Sequence, residues 1–104
     1  MSSSTREEIA EAYAALRDSV SRVLELSYDV LTTPERLTYL AKQEDEWRRL
    51  PAARHELINQ LVEQSSEEEL GGRLPHALAS RLRITRAEAS RRIGKPRIWG
   101  GAAR

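Results

Sequence analysis

An all-α fold, a long antiparallel helical hairpin followed by a helix-turn-helix, is the architecture that three observations predict. Apolar residues recur at alternating steps of three and four through most of the first 62 positions, the spacing that places them on one face of a helix. Ser or Thr followed three residues later by Glu occurs at Thr5/Glu8, Ser66/Glu69 and Thr85/Glu88, the signature of helix starts. The 104-residue chain holds no phenylalanine and only five other aromatic residues, so its modest core must be built from Leu, Ile, Val and Ala. Three segments are expected: an acidic helical hairpin over 1–72, a basic helix-turn-helix unit over 73–93 packed on it, and a loose, disordered tail over 94–104.

The first helix is predicted over residues 6 to 30, capped by Thr5 with Glu8. Its stripe is Ile9, Tyr13, Leu16, Val20, Val23 and Ser27, with Leu24 and Leu31 beside it. Thr32, Thr33 and Pro34 interrupt the pattern and restart it, with Thr33 as cap and Pro34 at the first helical position. A second stripe then runs through Leu37, Leu40, Ala41, Glu44, Trp47, Leu50, Arg54, Leu57, Ile58, Leu61 and Val62. The period persists across Pro51, whose missing amide predicts a kink over residues 47–51 or two helices meeting there. The short Thr32-Thr33 connection favours antiparallel packing of the two long elements. Ser66 and Glu69 predict one further turn of helix, with Glu67, Glu68 and Glu69 suited to a helix dipole, and Gly71-Gly72 ends it.

Leu74, Leu78, Ala79 and Leu82 fall on one face of the next helix, opened by Pro75. Ile84 sits in the turn, Thr85 caps the last helix with Glu88 reaching back to complete a capping box, and Ala89 and Ile93 face inward. Ala79 is small, as two closely crossing helices require. Thr85, Arg86, Ala87, Ser90 and Arg91 are left facing out, with Arg81, Arg83 and Arg92 around them. Free amides and a positive dipole end at a helix start, ringed by arginines, suit DNA phosphates and base edges. The expected DNA-binding residues are Arg81, Thr85, Arg86, Ser90 and Arg91. The pattern resembles the recognition unit of lactose-repressor-type regulators. It departs at Arg83, where glycine is usual, so the turn must be made by a residue that meets a steric penalty at positive φ or be shaped differently, and at Arg92, where an apolar residue is common. Two short amphipathic helices with arginine on their outer faces also occur in domains that never touch DNA.

Charge is divided along the chain. Residues 1–72 hold 8 Lys/Arg and 15 Asp/Glu, a balance of −7, whereas residues 73–104 hold 9 Lys/Arg and only Glu88, a balance of +8. The basic end would attract polyanions with strong salt dependence, unless the two ends neutralise each other within the fold or between subunits.

Other chemistries find little support. There is no cysteine for disulfides or thiolate metal sites. His55-Glu56-Leu57-Ile58-Asn59 approaches the HExxH zinc motif, but Asn59 stands where the second histidine must be. His55 is read as a helix-face residue and His76 as a first-turn residue near the DNA-facing end. No glycine-rich phosphate loop and no Ser or Cys with a histidine partner is present, so no catalytic residue, metal site or cofactor is expected. The charged start MSSSTREEIAEAY and the absence of a long apolar run predict a cytoplasmic chain with no membrane contact. Trp99 lies in the tail, available to a partner or simply exposed.

The runs VLELSYDVLTTPERLTYL, RRLPAARHELINQLVEQ, ELGG and HALASRLRITRAEASRRI, over residues 19–93, strongly resemble the actinobacterial 13E12 repeat proteins. In that family this stretch is a helical amino-terminal region of unknown function, commonly followed by an HNH endonuclease domain. The resemblance implies a DNA-associated, mobile-element-like setting, and no HNH histidine or asparagine has a counterpart here. Where family members continue with more helix, this chain has GKPRIWGGAAR, which suggests a gene truncated by frameshift or insertion. The expected partners are DNA and a second copy or longer relative of the same family. A helical dimerisation or interaction module and a non-functional remnant stand as alternatives, and an enzyme acting alone is the least favoured.

Overall fold

A computed structural model describes residues 3–94, all-α, with five helices and no strand among them. They are α1 (Arg6–Glu25), α2 (Thr33–Gln64), α3 (Glu67–Leu70), α4 (Leu74–Leu82) and α5 (Arg86–Ile93). The chain divides into two compact units, Met1–Ala41 and Lys42–Arg104, the division falling within the span of α2. The tail expected to be loose, Trp99 included, lies outside the described residues apart from Gly94.

In the first unit, Thr5 and Glu8 form the expected reciprocal cap: the Glu8 amide donates to Thr5 Oγ1 at 3.0 Å and the Thr5 amide to Glu8 Oε1 at 2.8 Å. Two orphan amides at the start of α1 are thereby satisfied. The helix ends at Glu25, not at residue 30 as its stripe suggested. Leu26 is extended, and the Tyr28 hydroxyl turns back to donate to the Val23 carbonyl at 2.7 Å. A local turn follows, with Ser27 Oγ accepting from the Asp29 amide and the Leu31 amide donating to the Tyr28 carbonyl. Ser and Asp compete with the helix for their own backbone, and here they prevail over a pattern that only Ser27 and Leu31 extended.

The start of α2 is also displaced by one residue. Thr32 is the capping residue, its Oγ1 accepting from the Glu35 amide at 3.3 Å while its own amide donates to Glu35 Oε1 at 2.8 Å. Thr33 is therefore the first helical residue and Pro34 the second, where the missing amide still costs nothing. Glu35, three residues after Thr32, decides between two adjacent threonines. Of the two outcomes offered for Pro51, a break into separate helices does not occur: α2 continues through it to Gln64. The stripe residues of α1, Ile9, Tyr13, Leu16, Val20 and Val23, stay 41 to 51% exposed, and Leu37 and Leu40 of α2 are also exposed.

The second unit contains the core. Ile58 of α2, Leu78 and Ala79 of α4 and Ala89 of α5 are buried, with Ile84 and Ile93 packed at their edge. Ala89 is wholly enclosed. Its methyl and that of Ala79 let α4 and α5 approach closely, and Ile58 closes the cluster from the C-terminal half of α2. Leu82, expected on the inner face of α4, is instead 43% exposed, since the helix ends there and the chain turns away at Arg83. Short α3 opens on the predicted Ser66/Glu69 capping box and closes at Gly71, which is left-handed at φ 75° and ψ 20°.

Candidate nucleic-acid interface

The corner between α4 and α5 is made by Arg83, at φ 60° and ψ 47°, the one non-glycine residue with positive φ among the described residues. Its amide, and that of Ile84 at 3.0 Å, both donate to the Ala79 carbonyl, tying off the end of α4. Of the two outcomes open at this position, a left-handed residue or a differently shaped turn, Arg83 takes the left-handed one in spite of its Cβ. Ile84 then drops onto the core edge and Thr85 begins α5.

Thr85 caps α5 as predicted, its Oγ1 accepting from the Glu88 amide at 3.0 Å. Glu88 does not complete the box. Its Oε1 accepts from Arg91 Nε at 3.0 Å and also from Arg91 Nη2, while Oε2 accepts from Arg92 Nε at 2.9 Å. Two guanidiniums one turn away offer charge-assisted bonds, which outcompete a neutral backbone amide for the carboxylate. The Arg91 hydrogen bonds, then that of Arg92, hold the Glu88 carboxyl below the usual carboxylate range.

All five expected contact residues, Arg81, Thr85, Arg86, Ser90 and Arg91, are exposed, at the end of α4 and along α5. Arg86 Nη1 lies 3.2 Å from His76 Nε2. A guanidinium can only donate, so that ring nitrogen must be the unprotonated acceptor in this contact. His76, in the first turn of α4, is thereby placed beside the first residue of α5. The other histidine, His55, lies on α2 and with Ile58 and Asn59 lines an open groove against Arg91, Arg92, Ile93 and Gly94. Among the described residues no three His, Asp or Glu side chains gather where they could hold a metal ion.

Reading the sequence for contact residues missed the role of Glu88 and the lowered position of Arg92, whose side chain is 27% exposed against 71% for Arg91. The signal was present: Glu88 stands three and four residues before the two arginines, the spacings at which helix side chains meet.

What fold and surface define is an all-helical protein whose second unit presents a basic, closely packed pair of short helices. The family model described as "Domain of unknown function (DUF222)" matches residues 37–97, more than half of the chain, and the chain belongs to this family. Among similar proteins, uncharacterized protein Rv1128c of Mycobacterium tuberculosis is 60% identical over 92 residues, covering 88% of this chain and 20% of its own length. Uncharacterized protein Mb1179c of Mycobacterium bovis is 59% identical over 100 residues, 96% of this chain and 22% of its own. Uncharacterized protein Rv3466 of Mycobacterium tuberculosis is 57% identical over 93 residues, 89% of this chain and 42% of its own. The chain thus spans about a fifth of the length of the first two of these relatives. No solved structure matches. Among the described residues no helix is long and apolar enough to cross a membrane.

Proposed function

We propose that the chain is a DNA-binding region of a 13E12 repeat, HNH endonuclease-type protein, with α4, the Arg83 corner and α5 acting as a helix-turn-helix. The observation that carries this is the capped start of α5 held against α4 by Ala79 and Ala89, with Arg81, Arg86 and Arg91 exposed around it. A helix start so placed offers amides and a positive dipole end to a phosphate while side chains reach the groove. The balance of +8 over residues 73–104 adds long-range attraction to a polyanion. Arg81, Thr85, Arg86, Ser90 and Arg91 are the contacts, and His76 sets the direction of Arg86. The chain by itself cleaves nothing in this reading, and a nicking assay with purified chain and divalent ions that yields product would overturn that part.

Fluorescence anisotropy of labelled duplex DNA, titrated across salt, tests the binding. Saturable binding that weakens with salt is expected, and Arg86→Ala and Arg91→Ala should each weaken it by about 1 to 3 kcal/mol where they meet bases, less where they meet only phosphates. No binding at low salt would refute the proposal.

A second reading, a helical interaction module, is favoured by the exposed apolar stripe of α1. It predicts a particle size that rises with protein concentration in sedimentation runs, and a size independent of concentration would count against it.

A further inference from the structure

We infer that Glu88 is a positioning residue that holds Arg91 ready to read guanine, so that this carboxylate sets sequence preference at the cost of general attraction to DNA; the inference rests on the DNA-binding reading above. Glu88 is the only acidic residue in 73–104, and it stands in the first turn of α5, where phosphates would approach. A residue placed there for affinity alone would not be acidic, because a carboxylate repels the backbone it faces and ties up cationic charge. Its use lies in geometry.

Arginine carries five N–H donors in a rigid planar fork. Glu88 Oε1 takes Arg91 Nε at 3.0 Å together with Nη2, so the side edge of the guanidinium is occupied. The end edge, one hydrogen on Nη1 and the second on Nη2, has no partner among the described residues, and the Arg91 side chain is 71% exposed. Two parallel donors at that edge match O6 and N7 of guanine in the major groove, and no other base presents two acceptors there. Arg92 has the opposite disposition: its Nε is bound to Glu88 Oε2 at 2.9 Å and its side chain is only 27% exposed. Arg92 thus braces the carboxylate from the far side, and Arg91 is the arm that projects. Holding Arg91 before contact removes much of the rotamer freedom that a free arginine would lose on binding.

The test uses the full chain and a randomised duplex library, followed by titration of the selected duplex and versions in which each guanine is replaced in turn. Wild type should prefer guanine at one position by at least about fivefold, the lower end of what a bidentate pair gives. Glu88→Gln should reduce that preference below about twofold while binding the replaced duplexes as tightly as wild type or more so. Arg91→Lys keeps the charge but loses the rigid planar fork, so it too should reduce the preference for guanine. If circular dichroism shows Glu88→Gln to be unfolded, Glu88→Ala, which removes the carboxylate but keeps a strong helix former, takes its place with the same expected result. An unchanged preference in Glu88→Gln, or equal weakening on every duplex, overturns the role of Glu88 and leaves DNA binding standing. Failure of wild type to bind any duplex at low salt overturns the DNA reading and this inference with it.

Discussion

Arg83 sits in left-handed backbone at φ 60°, where a Cβ crowds the carbonyl and glycine is the easy occupant. Arg83→Gly should therefore stabilise the second unit by about 1 kcal/mol, read as a raised midpoint in urea, less whatever the freer unfolded chain takes back. Glu88 makes a prediction in acid. Its carboxyl is held below the usual carboxylate range by hydrogen bonds from Arg91 and then Arg92, so its folded pKa lies under its unfolded one. The clamp contributes fully above the ordinary carboxylate range, and the contribution is lost as pH falls through the folded value. A helix signal followed from neutral pH into acid should show that loss in wild type and not in Glu88→Gln. Residues also show what a sequence can conceal. The Thr5, Ser66 and Thr85 caps were all legible. The choice of Thr32 over Thr33 hung on Glu35, and the partner of Glu88 hung on two arginines outbidding an amide.

At the level of elements, α4 and α5 are short and depend on each other. Their contact passes through Ala79 and Ala89, so the pair tolerates nothing larger there. Ala89→Leu should destabilise the unit by about 1 to 3 kcal/mol through overpacking, and Ile58→Ala by about 2 to 5 kcal/mol through the cavity left behind, both measured by denaturant unfolding. Both should weaken DNA binding in proportion to unfolding, and full binding by an unfolded Ala89→Leu would remove the helix pair from the interface. The inward positions Leu78, Ala79 and Ala89 could be read from spacing because a helix repeats faithfully over two turns. That Ile58 alone of the long α2 stripe would be buried could not be read so, since period gives a face and not its partner. The end of α1 escaped for a related reason: Tyr28 caps Val23 across five residues, a contact that no helical spacing foretells.

For the whole molecule, the segregation of charge governs behaviour towards polyanions. If Arg81 and Arg86 each neutralise a phosphate while Arg91 reads a base, a plot of log affinity against log salt should have a slope of about −2, shallower by about one for each of the two changed to alanine. A flat plot would mean that neither of them meets the backbone. The all-helical fold itself was plain from composition and period, whereas the resemblance to the 13E12 repeat proteins rested on whole words of sequence such as those over residues 76–93. The core has one more consequence, in isotope exchange. The Ala89 amide donates to the Thr85 carbonyl at 2.9 Å inside a wholly enclosed residue, and α1 has no buried residue at all. In deuterated water the Ala89 proton should outlast the others, its lifetime reporting global opening, while the α1 protons are replaced through fraying long before the core gives way.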